Sequence, residues 1–127
     1  MTVRLPHRLP KRPKRDNRVR CPGHLAWLRG FECACGLKPA ADETTLCAGR
    51  TEAAHVRTGT DGGTGLKPSD SWAIPLCTKH HREQHASGET TFARRYGLDM
   101  KEVAQELARR SPALQRYRAK QKKDAAQ

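Results

Sequence analysis

The segment from Cys77 to His85 concentrates one cysteine and three histidines in a short run. On a helix, His81 and His85 would lie one turn apart on the same face, at the spacing with which two imidazoles bind one metal ion. Cys77 and His80 have the C-x2-H spacing of one half of a structural zinc site. The segment therefore predicts two kinds of metal site, one that stabilises the fold and one that does chemistry.

The other half of a structural zinc site must come from elsewhere in the chain. Such sites usually hold zinc with four ligands from two short segments. Cys33 and Cys35 are too close together for an ordinary C-x2-C arrangement. We therefore predict that Cys33 and Cys47 are the two ligands, with Cys35 as the substitute for Cys33. Cys21, far upstream, is the least favoured. The predicted zinc ligands are Cys33, Cys47, Cys77 and His80.

The bulk composition favours a small domain that needs a metal. The chain has 127 residues, of which 35% are hydrophobic and only 5% aromatic, so its core must be thin. Small cores are usually supplemented by metal ions or disulfides. The five cysteines cannot all pair, and the first residues lack the apolar run of a signal peptide. We expect a cytoplasmic, reducing location without a membrane span, where a metal is favoured over disulfides.

The net charge of +12 lies at the two ends of the chain. Residues 1–20 carry +7 and residues 101–127 carry +5, whereas residues 21–100 are neutral. Two basic ends on a neutral centre suit a polyanion, most simply DNA or another nucleic acid. The alternative is that both ends are solvated tails that aid solubility.

Proline, glycine and capping patterns divide the chain into three parts. Residues 1–20 combine prolines with many cations and predict a disordered basic arm. Residues 21–100 predict the folded domain, and residues 101–127 a basic helical tail. The glycine-rich loop at 59–65 lacks the Gly-Lys-Ser/Thr ending of a phosphate-binding P-loop, which argues against an NTPase. Predicted strands are 52–57 and 71–76, and predicted helices are 24–30, 78–87 and 90–96, with two more that begin after Asp99 and Ser111.

Over residues 21–100 the chain resembles the HNH family, also called ββα-metal or His-Me finger nucleases. The resemblance is carried by Ala-Ala-His-Val at 53–56, the glycine-rich loop, and Asp-Ser-Trp-Ala-Ile-Pro-Leu-Cys-Thr-Lys-His-His-Arg-Glu-Gln-His at 70–85. It is most similar to small phage- and prophage-type members. The resemblance implies a small α+β fold with a ββα-metal core, stapled by zinc and flanked by short helices and basic tails.

The resemblance also implies roles for individual residues. His55 takes the position of the general base that activates water, and an imidazole suits this task. His81 and His85 match the ligands of one catalytic divalent ion, which could be Mg²⁺, Mn²⁺, Ni²⁺ or Zn²⁺. Asp70 stands where the family usually has an asparagine that fixes a loop, or it adds charge to the metal site. Ala54 replaces a residue that many members use as a further ligand.

The expected function is therefore hydrolysis of phosphodiester bonds in DNA by a metal-dependent endonuclease. One alternative is a zinc-stapled nucleic-acid-binding module without catalysis. Another is a basic adaptor whose C-terminal helices contact a larger phage or host protein. The basic residues expected near the site and the nucleic acid are Arg57, Lys67, Lys79 and Arg82.

Overall fold

The computed structural model describes residues 17–63 and 65–126. This part of the chain forms a small α+β fold with one two-stranded sheet, five α-helices and three short 3-10 turns. None of its helices combines the length and the apolar character needed to cross a membrane. The elements are α1 (Pro22–Leu28), β1 (Thr51–His55), β2 (Ala73–Cys77), α2 (Thr78–Ser87), α3 (Glu89–Tyr96), α4 (Met100–Arg110) and α5 (Pro112–Ala125).

Strands β1 and β2 pair in an antiparallel sheet and are joined by the long connection 56–72. The register places Thr51 opposite Cys77 and His55 opposite Ala73. Pro75 lies inside β2, within the predicted strand 71–76. In the described part of the chain each strand has only one neighbour, and a strand edge without ladder hydrogen bonds tolerates proline.

Local signals set the ends of α2 and α3 and the starts of α4 and α5, as predicted. Helix α1 instead spans Pro22–Leu28 and not the predicted 24–30, because Pro22 suits the first turn of a helix. Helix α2 spans Thr78–Ser87 and is followed by Gly88, whose φ of 84° suits glycine. Helix α3 ends at Gly97 in the left-handed conformation. Asp99 and Ser111 each accept a hydrogen bond from the backbone N–H three residues later, and so cap α4 and α5.

The main core lies between the sheet and helices α3 and α4. Ile74 and Leu76 of β2 are fully buried there together with Phe92 of α3 and Ala104 of α4. Apolar burial of this kind is the main favourable term in folding. The core therefore fixes α2, α3 and α4 around the sheet that carries His55.

Helix α5 extends the folded unit beyond the expected boundary at residue 100. Its Leu114 is fully buried in a second cluster with Cys21 and Ala108, and α1 and α5 are in contact. Residues 101–114 are therefore part of the globular body, while the second half of α5 carries the exposed basic side chains. The sequence predicted a tail because most side chains of α5 are polar or basic, so its few buried positions form no clear apolar pattern.

The end of the predicted basic arm packs against the connection between the strands. Val19 donates its N–H to the Ser69 hydroxyl at 2.9 Å, and its carbonyl accepts from Asp70 N–H at 2.9 Å. Arg20 donates to the Pro68 carbonyl at 2.6 Å. The prediction of disorder for residues 1–16 lies outside the described residues.

Candidate functional site

Three cysteine sulfurs surround one imidazole nitrogen. Nδ1 of His80 lies 3.1 Å from Sγ of Cys77, 3.4 Å from Sγ of Cys33 and 3.6 Å from Sγ of Cys47. The four atoms all lie within 4.8 Å of one another. Three sulfurs and one nitrogen form a frequent ligand set for tetrahedral zinc. The cluster could therefore hold a structural metal ion such as zinc.

The end of β2 and the start of α2 place two of these ligands. Cys77 closes the strand and is also the N-cap of the helix, where its sulfur accepts the His80 N–H at 3.4 Å. His80 then falls in the first helical turn and is fully buried. The C-x2-H spacing therefore produces the two ligands directly from a strand-to-helix junction.

The segment after Cys47 is attached to the beginning of α2. The carbonyls of Ala48 and Arg50 accept hydrogen bonds from the first N–H groups of the helix, at 3.1 and 2.9 Å. Gly49 has a φ of 88°, and a Cβ there would stand 2.7 Å from Cβ of Thr78. A side chain at this position would clash, so Gly49 is needed for the close approach that brings Cys47 to the cluster.

The ring of His80 is oriented by its second nitrogen. Nε2 lies 3.0 Å from the Thr45 carbonyl, which can only accept, so Nε2 carries the proton and Nδ1 keeps its lone pair. A backbone carbonyl commonly orients metal-binding histidines in this way. Tyr96 packs edge-on against the ring at 4.8 Å between centroids. His80 is therefore held in the tautomer that a metal requires.

Cys35 lies close to the cluster but outside its four atoms. A hydrogen bond between the Cys33 and Cys35 thiols, aided by backbone hydrogen bonds, lowers the pKa of Cys33 to about 4. The same hydrogen bond, together with burial, raises the pKa of Cys35. Burial and the neighbouring Cys33 raise the pKa of Cys47 to about 12. A cation among the sulfurs would favour the thiolate form, and Cys35 is placed to hydrogen-bond to a thiolate ligand.

His55 forms a dyad with Asp70. Nε2 of His55 donates to Oδ1 of Asp70 at 2.9 Å, and the side chains are 13% and 4% exposed. Burial lowers the pKa of His55, and the nearby cations Lys67 and Arg20 lower it further. The hydrogen bond to Asp70 raises this pKa but does not outweigh burial. Because the ordinary value is already near 6.5, the imidazole is neutral at pH 7. No described residue hydrogen-bonds to Nδ1 of His55.

Asp70 is fixed on both carboxylate oxygens. Oδ2 accepts the Cys21 N–H at 2.7 Å, and Oδ1 accepts from His55 and lies 3.7 Å from a guanidinium nitrogen of Arg20. Its own N–H donates to the Val19 carbonyl. The carboxylate thus joins β1 to the segment before α1.

His81 and His85 form a second group on the outer face of α2. Their Nε2 atoms lie 3.2 Å apart, and Nδ1 of His81 lies 3.3 Å from Oε1 of Glu52 on β1. Among the described residues, this group shares no hydrogen bond with the His55–Asp70 dyad. Glu52 is not among the residues predicted for the site from the sequence, although strand alternation puts it on the same face of β1 as Ala54.

The predicted nucleic-acid-binding cations divide into two kinds. The side chains of Arg57, Lys67 and Arg82 are exposed. Lys79 instead donates its ammonium to the Leu46 carbonyl at 2.8 Å and so contributes to the loop around Cys47. This hydrogen bond gives Lys79 a structural role in addition to any contact with phosphate.

Comparisons with known proteins give a family but no activity. The family model described as "Protein of unknown function (DUF968)" matches residues 4–114. The chain is also similar to "Uncharacterized protein YdfU" of Escherichia coli (strain K12), with 33% identity over 95 residues. That alignment covers 75% of this chain and 24% of the relative, so this chain matches about a quarter of its length. No solved structure matches.

Proposed function

The chain belongs to the DUF968 family, and for this member we propose metal-dependent endonucleolytic hydrolysis of phosphodiester bonds in DNA. The observation that carries the proposal is the His55–Asp70 dyad, in which a buried carboxylate fixes one nitrogen of a neutral, partly exposed imidazole. Such an arrangement favours a general base. The resemblance to HNH nucleases and the helical histidine pair support the same reaction class.

His55 would remove a proton from the attacking water. Its Nε2–H is engaged by Asp70, so the lone pair available for the proton is on Nδ1. As the imidazole becomes cationic, the Asp70 carboxylate stabilises its charge and keeps the ring orientation. The second oxygen of Asp70 is held by the Cys21 N–H, which prevents the carboxylate from rotating away.

His81 and His85 would hold one divalent ion. Their Nε2 atoms are 3.2 Å apart, which is the separation of two ligands at about 2.1 Å from one ion when the angle between them is about 100°. An ion held there would supply positive charge to stabilise the phosphate during hydrolysis. Two imidazoles favour Mn²⁺, Ni²⁺ or Zn²⁺ over Mg²⁺.

DNA is the substrate that the charge distribution supports. The excess positive charge lies at the two ends of the chain, and the exposed residues Arg57, Lys67 and Arg82 add cations around β1 and α2. Contacts of this type bind the phosphate backbone and carry little sequence information. We therefore propose binding with little sequence preference.

Nicking of supercoiled plasmid DNA tests the proposal. The parent protein should convert plasmid to open circles with Mn²⁺ or Mg²⁺, and His55→Ala should lose at least about 100-fold of the rate, which is the lower range for a general base. Asp70→Asn should lose activity while it retains DNA binding. Arg94→Ala on α3, an exposed cation away from these histidines in the sequence, serves as a control that should keep the parent rate.

The alternative is a zinc-stapled nucleic-acid-binding module without catalysis. Ala54 favours it, because this residue is fully buried in the core at a position where related nucleases place a metal ligand. Binding of DNA without product, with any of Mn²⁺, Mg²⁺, Ni²⁺ or Zn²⁺, would replace the nuclease proposal with this one. Equal cleavage by the parent and His55→Ala would remove His55 from the reaction.

A further inference from the structure

We infer that Glu52 is the positioning residue of the divalent-ion site on α2, because it fixes the tautomer and orientation of His81. This inference rests on the proposed function, since it concerns the same ion. It assigns a role to a residue outside the segments 53–56, 59–65 and 70–85 that carry the ββα resemblance, and it offers a replacement for the negative charge that Ala54 does not supply.

The geometry gives each nitrogen of His81 a different task. Nδ1 faces Oε1 of Glu52 at 3.3 Å, and Nε2 faces Nε2 of His85 at 3.2 Å. A carboxylate accepts hydrogen bonds only, so Nδ1 of His81 carries the proton. Nε2 of His81 then presents its lone pair towards the same point as Nε2 of His85. A carboxylate behind a histidine in this way is a recurrent partner of metal ligands.

The sheet determines which acidic residue reaches α2. In β1, Glu52 and Ala54 lie on one face because side chains alternate along a strand. Ala54 is fully buried, whereas Glu52 lies near the start of β1 with a side chain 43% exposed. The ring of His81 is 24% exposed. The pair therefore lies at the rim of the core, where water and an ion can enter.

Charge also favours Glu52 as the acidic partner. Imidazole ligands contribute no negative charge against a divalent cation, whereas a carboxylate that contacts one of them does. Asp70 is the other candidate from the sequence, but its oxygens are engaged by His55 and by the Cys21 N–H. Among the described residues, Glu52 is the carboxylate that contacts the histidine pair.

Titration of zinc-loaded protein with Mn²⁺, followed by electron paramagnetic resonance without DNA, tests the inference. We expect one exchangeable Mn²⁺ per chain in the parent. Glu52→Gln should bind it about 10- to 100-fold more weakly, as is typical when the partner of a metal ligand is removed. Glu52→Asp should recover part of the affinity. Glu102→Gln, an exposed acidic residue on α4, is the charge-matched control and should bind as the parent does.

A kinetic measurement separates positioning from catalysis. In the plasmid assay, Glu52→Gln should need more Mn²⁺ for half-maximal cleavage but should approach the parent rate at saturation. His55→Ala should instead stay slow at every Mn²⁺ concentration. Tightly bound zinc should remain at one per chain in all these variants.

The outcomes distinguish this inference from the proposed function. If Glu52→Gln binds Mn²⁺ as tightly as the parent while His81→Ala does not, Glu52 has no positioning role and the nuclease proposal stands. If the parent binds no Mn²⁺, the 3.2 Å contact is only a hydrogen bond between the two rings and the inference fails. Cleavage by a parent that holds no exchangeable ion would retain the hydrolase but reject its histidine-bound metal.

Discussion

Replacement of Cys47 by alanine isolates the contribution of the Cys33, Cys47, Cys77 and His80 cluster to stability. Cys47 is exposed, whereas Cys33 and Cys77 are buried in the core. An exposed side chain without a special role changes stability by less than about 0.5 kcal/mol when it is replaced. Any larger loss in Cys47→Ala therefore reports the ligand and not the hydrophobic core.

The expected loss follows from the position of its sulfur. Sγ of Cys47 lies 3.6 Å from the ligand nitrogen of His80 and within 4.8 Å of the other two sulfurs. Loss of a residue that only supports a metal ligand weakens metal binding by up to about 100-fold, which is about 2.7 kcal/mol. Loss of a ligand itself should weaken metal binding by more than this amount. We expect about 3 kcal/mol and a fall in Tm of about 10 °C.

Chelation of the metal should have a larger effect. Structural zinc contributes about 10 kcal/mol or more in small domains, which matches the entire stability of many proteins. The parent protein should therefore unfold at room temperature when a strong chelator removes zinc. Circular dichroism during heating, together with zinc content from mass spectrometry, measures both effects.

Cys35→Ala is the matched control because Cys35 neighbours the cluster without belonging to the four atoms. It should retain one zinc per chain. If Cys47→Ala keeps one zinc per chain and melts within about 2 °C of the parent, Cys47 is not a metal ligand. Loss of zinc in Cys35→Ala would show that Cys35 takes the place of one of the assigned ligands.

Three further measurements test the core, the buried histidine and the charge. Phe92→Ala should cost about 4 kcal/mol in urea denaturation because Phe92 is fully buried, while Phe92→Leu should cost clearly less. Burial lowers the pKa of fully buried His24, so the unfolded chain binds a proton that the native state rejects, and stability falls as pH drops below about 6.5. His24→Gln should lose less stability than the parent between pH 7 and pH 5, and equal losses would assign the pH dependence to other groups. Fluorescence anisotropy should show that log Kd for duplex DNA rises with log salt at a slope near 7, which corresponds to about eight phosphate contacts. Deletion of residues 1–16 should halve this slope, because these residues carry much of the positive charge. An unchanged slope would exclude the basic arm from the DNA interface.

Local sequence signals were sufficient for α2 to α5, but not for α1, which begins and ends two residues before the predicted bounds of 24–30. Gly88 and Gly97 end α2 and α3, and Asp99 and Ser111 start α4 and α5, all at the predicted positions. These signals act through backbone conformation and hydrogen bonds within a few residues, so they can be recognised without knowledge of the fold. The C-x2-H spacing at Cys77 is equally local, because one strand-to-helix junction contains both ligands.

The choice among the other cysteines was a weaker prediction. Sequence spacing argued against pairing Cys33 with Cys35, but the approach of Cys47 depends on Gly49 and on hydrogen bonds from its loop to the start of α2. Those contacts join residues about 30 positions apart. Their geometry follows from the path of the loop, which composition alone does not define.

The sequence by itself determined where α2 and α3 end, where α4 and α5 begin, and where positive charge accumulates, and it predicted which side chains could bind metal. The tertiary structure decided that Asp70 joins His55, that Glu52 meets His81, and that α5 belongs to the folded body. Local signals need only neighbouring residues, whereas each of these contacts spans at least 15 positions. It forms only when the sheet register and the packing of the helices bring distant side chains within hydrogen-bond or van der Waals distance.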